Sequence, residues 1–200
     1  LDRDVERTLF WTRLLLAGRY DYREAKVYFD GLMNQVIPSW KVDILYLFLS
    51  SMKNKKLVVH LAERLTRLPN LESSMAKRTR IIWIEGLIDL GNSEEAYEQA
   101  RFFLTDYPTS GDAWRLLGRS AEDEGQLFEA DKAWGMVTKK TSPRQKIWWE
   151  GMINRTRIRA ARRPDQACTL LKRLIQSDKH IPRDYLKKFR YLKSNLDCAS

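Results

Sequence analysis

The chain has 200 residues, 44% hydrophobic and 31% charged, a balance that supports a packed core and excludes a disordered polymer. Its net charge of +10 is uneven: residues 145–200 carry 14 Lys/Arg against 5 Asp/Glu, whereas residues 77–144 carry 10 against 12. The longest apolar run, Ile44 to Leu49, falls well short of the roughly 18–20 residues that cross a membrane, so no spanning segment is expected.

In chain order, apolar residues recur at helical spacing. A first pair of helices has Leu9 to Leu16 in one member and Tyr20, Ala25, Phe29 and Leu32 in the other, with Gly18 between them and Pro38 closing the pair. A second runs from about Ser39 to Pro69, with Leu45, Phe48, Leu61 and Leu65 as its apolar stripe. Pro69–Ala76 breaks the spacing between copies and is expected to be a flexible connection. A third pair starts at Lys77, turns at Gly91-Asn92 and closes at Pro108. Ser93-Glu94-Glu95 places a cap and acidic residues at a helix start, where the helix dipole favours them. A fourth starts at Gly111, turns at Gly125 and closes at Pro143. A fifth starts near Gln145 and turns at Arg163-Pro164. A last helix, Pro182 to Leu196, has Tyr185, Phe189 and Leu192 on one side and Lys187, Lys188, Arg190 and Lys193 over the rest. Proline suits these boundaries because the first N–H groups of a helix have no intrahelical partner.

The third and fourth pairs repeat with a 34-residue spacing, Ala96 preceding Ala130, and Trp114 of the fourth pair precedes Trp148 of the fifth by the same interval. In the fourth pair, Trp114, Leu117, Gly118, Ala121, Ala130, Trp134, Val137 and Pro143, the proline one place late, follow the pattern of the tetratricopeptide repeat (TPR). The third keeps Trp83, Leu87, Ala96, Ala100 and Pro108, with Ile84 where a glycine is usual. The chain therefore resembles the TPR family over most of its length. That resemblance implies an all-α, right-handed α-solenoid of about five helix pairs (6–38, 39–76, 77–110, 111–144, 145–181) with a capping helix at 182–196, together forming one domain. The start at Leu1 reads as a piece of a longer protein.

In the family, Trp114 and Trp134 are packing rings, and Gly118 and Ala130 permit close helix approach. The first helix of each pair lines a concave groove. Carried over, this gives Arg78, Ile81 and Glu85, then Asp112, Arg115, Arg119 and Glu122, then Lys146, Trp149, Ile153 and Thr156. Trp148 takes the packing position and Trp149 turns to the groove, the alternative being that Trp149 packs on a neighbouring repeat. Arg115 and Arg119 match only part of the Lys/Asn set with which some relatives hold a chaperone's terminal carboxylate, so that ligand is not expected. The basic residues Arg155, Arg157, Arg159, Arg162 and Arg163, with Lys187, Lys188 and Arg190, suggest one positive end. It could hold an anionic polymer, or simply be a solvated face. Arg155 falls where the family buries a ring, so it either snorkels outward or marks a shifted helix.

Catalytic patterns are absent. His60 and His180 have no metal-ligand spacing, and Glu94-Glu95 and Glu122-Asp123-Glu124 read as solvated faces. No cofactor is expected. Cys168 and Cys198 form no CxxC motif, and a bridge between them depends on their Cα separation. The resulting expectation is a non-enzymatic scaffold that binds a protein or peptide, in a setting such as bacterial secretion or cell-envelope assembly. The alternative is an acidic polysaccharide or nucleic acid held at the basic end, as in polysaccharide export. Compartment is left open between cytoplasm and periplasm.

Overall fold

The computed structural model describes residues 3–17, 19, 21–35, 37–69, 71–176, 181–196 and 198. Gly18, Tyr20 and His180, used in the sequence reading, lie outside the described residues. Among those described, every regular element is an α-helix: α1 Arg3–Ala17, α2 Tyr22–Met33, α3 Ser39–Ser51, α4 Lys55–Thr66, α5 Ser73–Asp89, α6 Ser93–Asp106, α7 Gly111–Asp123, α8 Leu127–Lys140, α9 Lys146–Arg162, α10 Pro164–Gln176 and α11 Arg183–Asn195. They fall into two compact units, Leu1–Asn92 and Ser93–Ser200.

In the first unit, α1 stacks on α3, α2 on α4, and α4 packs along α5. The anticipated stripe residues Leu45, Phe48, Leu61 and Leu65 are all buried. Aromatic rings knit the layers: Phe10 meets Trp40 edge-on at 5.8 Å, and Phe48 touches both Trp11 at 6.0 Å and Phe29 at 5.8 Å. Side-chain caps start two of these helices, Asp21 accepting from the Glu24 N–H and Asn54 from the Leu57 N–H. The break expected at Pro69–Ala76 is shorter than its spacing suggested. Ser73 to Ala76 form the first turn of α5, so the extra residues lengthen a helix.

The second unit stacks α6, α7, α8 and α9 in sequence, then adds α10 and α11. Its first core holds Ala121, Ala130, Trp134, Val137 and Ile158, with Tyr97, Trp114 and Ile147 against them. Its second holds Trp149, Leu171, Tyr185 and Phe189. Here α11 lays its apolar stripe over α9 and α10, the role expected of a terminal helix whose neighbour would otherwise present bare apolar surface. A disulfide joins Cys168 of α10 to Cys198 beyond α11, with Cα atoms 5.4 Å apart.

The 34-residue spacing is visible in the backbone. Gly91 and Gly125 both take φ of +76°, ending α5 and α7 in the left-handed conformation that glycine adopts without steric cost. After each, the next N–H reaches back to the helix, Asn92 to Leu87 at 3.0 Å and Gln126 to Ala121 at 2.7 Å. All three pairs of positions, 91/125, 92/126 and 87/121, are related by the same interval.

Candidate functional site

Along α7, Asp112, Arg115, Arg119 and Glu122 follow at intervals of three and four, so they form one stripe on the helix. The rest of the helix packs inward: Ala113, Leu116, Leu117, Gly118, Ser120 and Ala121 are all buried. Arg115 lies 3.8 Å from Asp112, with its side chain only 13% exposed. At the C-terminal end of the stripe, Glu122 accepts a hydrogen bond from the Trp134 indole of α8 at 2.5 Å and another from Arg157 of α9. Burial raises the Glu122 carboxyl above the ordinary glutamate value, and the Arg157 charge and the Trp134 donor oppose that rise. Glu122 is thus enclosed by α7, α8 and α9, and is not the solvated acid expected from its Glu-Asp-Glu run.

The next repeat is displaced by one residue from its expected register. Trp114 donates its indole N–H to the carbonyl of Pro108 at 2.9 Å, and Trp149 donates to Pro143 at 2.8 Å. Both pairs lie 35 positions apart, as do the starts of α7 and α9. Trp149, therefore, is the counterpart of Trp114. It is 6% exposed, packed against Trp148, Tyr185 and Phe189, and cannot anchor a groove ligand. Thr156 is buried as the counterpart of Ala121, and Ile153 packs under α11. Lys146 is exposed at the start of α9, where its carbonyl accepts from the Tyr185 hydroxyl at 3.4 Å. The stripe on α9 that matches Arg115, Arg119 and Glu122 is Glu150, Asn154 and Arg157, all at least partly exposed. The sequence reading missed Glu150 and Asn154. The one-place delay of Pro143 was the signal that could have found them.

The basic residues do not make one patch. Adjacent helical residues point about 100° apart, so Arg155 and Arg159 face away from Arg157. Asp131 of α8 accepts from Arg155 at 3.3 Å and from Arg159 at 2.9 and 3.2 Å, while Arg157 turns to Glu122. Arg155 neither snorkels into water nor fills a ring's place: its guanidinium packs against Gly135, where an added Cβ would lie 3.0 Å from its central carbon. Arg162 lies 6.0 Å from the exposed Phe128 ring, and Arg163 is exposed beside it. Lys187, Lys188 and Arg190 are exposed on α11, with Lys188 5.4 Å from the Tyr185 ring.

In the first unit, Arg78 is exposed and Glu85 half-buried on α5. His60 pairs with Asp30 at 2.7 Å, and Lys26 reaches the same carboxylate at 2.6 Å. Burial alone would raise Asp30, but the hydrogen bonds and charges of Lys26 and His60 lower it overall. Among the described residues, no three His, Cys, Asp or Glu side chains gather as a metal site, and no helix is long and apolar enough to cross a membrane.

No protein-family model matches the chain, and no curated protein matches it. A solved structure described as the MamA RS-1 ArsTM double mutant is similar over 98% of each chain, with a TM-score of 0.58 and 14% identity. At that identity the likeness is one of fold: the chain is an all-α helical repeat protein of TPR-like architecture.

Proposed function

We propose that the protein is a non-catalytic scaffold that binds a segment of a partner protein along the side formed by α7 and α9. One observation carries this reading: α7 sets Asp112, Arg115, Arg119 and Glu122 in a stripe, and Arg157 of α9 meets its end at Glu122. The matching stripe on α9 adds Glu150 and Asn154. Parallel helices one repeat apart present both stripes to the same side. This gives an elongated surface on which Asp112, Arg119, Glu150, Asn154 and Arg157 offer charges of both signs and an amide, suited to the main chain and mixed side chains of a peptide. A TPR-like fold is typically a scaffold. A cell-envelope or secretion assembly is the setting we favour, and the Cys168–Cys198 bond supports an oxidising compartment such as the periplasm.

Affinity capture with the chain and with an Arg115→Ala/Arg119→Ala variant tests the reading. A protein partner recovered by the first and lost by the second, with unchanged circular dichroism, supports it. Equal recovery by both contradicts it.

A second reading, an anionic polymer such as the acidic chains handled in polysaccharide export, rests on α11. Its outward side carries Lys187, Lys188 and Arg190 around Tyr191, which is 67% exposed. Binding there would weaken steeply with salt, and salt-insensitive binding would exclude it.

A further inference from the structure

In the second unit, α11 packs on α9 and α10. It buries two side chains, Tyr185 and Phe189, whereas α7 buries six. Both rings reach Trp149 of α9, at 6.2 and 6.3 Å, and Leu192 and Leu196 add partly buried edges. Polar ties are sparse. Among the described residues, one hydrogen bond joins α11 to α9, from the Tyr185 hydroxyl to the Lys146 carbonyl, and it is long at 3.4 Å. No ion pair among the described residues joins α11 to either neighbour, and its sequence holds five cations against one acid, Asp184. A helix held by so few contacts belongs to the low end of local opening energies.

The disulfide supplies the missing hold. Cys168 sits on α10 and Cys198 just beyond the end of α11, so the bond pins the far end of that helix to its support. Both cysteines are partly exposed, so an attacking thiolate can reach them while the unit is folded. Beneath α11 lie Trp149, Met152, Ile153, Leu171, Leu174 and Ile175, an apolar face shared by α9 and α10. The other core of the unit, built on Ala121, Ala130, Trp134, Val137 and Ile158, takes nothing from α11.

We propose that the Cys168–Cys198 bond is a redox latch on α11. Closed, it keeps the α9/α10 face covered. Opened, it lets α11 swing off and bare that face while α6 to α9 stay folded. The opening reagent is a dithiol protein of the CxxC class. One of its thiolates attacks a sulfur of the bond and forms a mixed disulfide, and its second thiol then resolves that intermediate. Two electrons pass to the chain, Cys168 and Cys198 end as thiols, and the reductant ends as a disulfide. The latch uses Trp149 and Ile153 of α9, whereas the scaffold reading uses Glu150, Asn154 and Arg157, so either can fail alone.

The intact chain is reduced with dithiothreitol in native buffer. Hydrogen exchange is followed by mass spectrometry, and bared apolar surface by the fluorescence of 1-anilinonaphthalene-8-sulfonate. Two thiols are expected to become reactive without denaturant. Exchange in α11 is expected to rise at least tenfold while that of α7 and α8 stays unchanged, and dye fluorescence is expected to rise with it. Glutathione disulfide is expected to reverse all three changes. Cys168→Ser/Cys198→Ser is expected to show the open behaviour with or without reductant. Phe189→Ala, which weakens the apolar hold, is expected to raise α11 exchange less in the oxidised chain than in the reduced one. A bond that yields only in denaturant, α11 exchange unchanged by reduction, or exchange rising equally through α6 to α10 each overturn the proposal. The last result would make the bond a brace for the whole unit.

Discussion

The indole of Trp134 lies directly on the Cα of Gly118, so close that an added Cβ would sit 2.8 Å from two atoms of the ring. The ring is fully buried, and its N–H is held by Glu122, so it cannot swing aside. Gly118→Ala is therefore expected to destabilise the protein by about 1–3 kcal/mol through overpacking. Trp134→Ala, which empties the same space, is expected to cost about 3–5 kcal/mol. Denaturant melts followed by circular dichroism measure both. A neutral Gly118→Ala would mean that α7 and α8 are not packed this closely.

Asp131 serves two arginines whose side chains are 28% and 33% exposed. Removing it leaves two guanidinium groups facing Gly135 and α8 without a carboxylate. Exposed pairs are worth about 0–1 kcal/mol, and breaking a buried one costs about 3–5. Asp131→Ala should fall between these, at about 1–2 kcal/mol. A double-mutant cycle with Arg159→Ala measures the shared part.

Glu122 gives a pH signature. Its folded-state value lies above its unfolded one, so the native state holds this proton more tightly. The resulting stability is complete below the ordinary glutamate value and is lost as pH rises through the raised one. Wild type is therefore expected to lose stability relative to Glu122→Gln as pH rises through the acidic range. Asp30, lowered overall, contributes the opposite slope in both proteins and cancels. Urea unfolding at a series of pH values reads the difference. Wild type gaining stability relative to Glu122→Gln as pH rises would contradict the burial of Glu122.

The Cys168–Cys198 bond closes a loop with a sequence separation of 30. Chain entropy for a loop of that size is worth about 3–4 kcal/mol. Reduction, or Cys168→Ser with Cys198→Ser, is expected to lower stability by up to that amount, with hydrogen exchange rising first in α11. Unchanged exchange there would mean that the apolar contacts of Tyr185 and Phe189 hold the helix without the bond.

Much of the fold is written in local signals. Gly91 and Gly125 stop helices because the backbone there needs positive φ, and Pro38 and Pro182 directly precede helices. These act over a few residues and can be read singly. The stripe proposed for binding was only partly legible. On α7 the 34-residue register holds, so Arg115 and Arg119 fall on the expected stripe. On α9 one extra residue before Pro143 rotates every side chain by about 100°, which buries Trp149 and brings Glu150, Asn154 and Arg157 to its place. Pairings such as Asp131 with Arg155 and Arg159 lie 24 and 28 residues apart and arise only once α8 packs on α9. The bridge between Cys168 and Cys198 was undecidable for the same reason.

Site-specific photo-crosslinking tests the account at its centre. A benzophenone amino acid is placed at Arg119, on the proposed binding stripe, or at Lys132, exposed on α8. The chain is then irradiated with its captured protein partner. Crosslinking from position 119 and none from position 132 is the predicted result. Crosslinking from 132 alone would mean that the partner binds elsewhere and that the α7/α9 stripes are ordinary solvated surface.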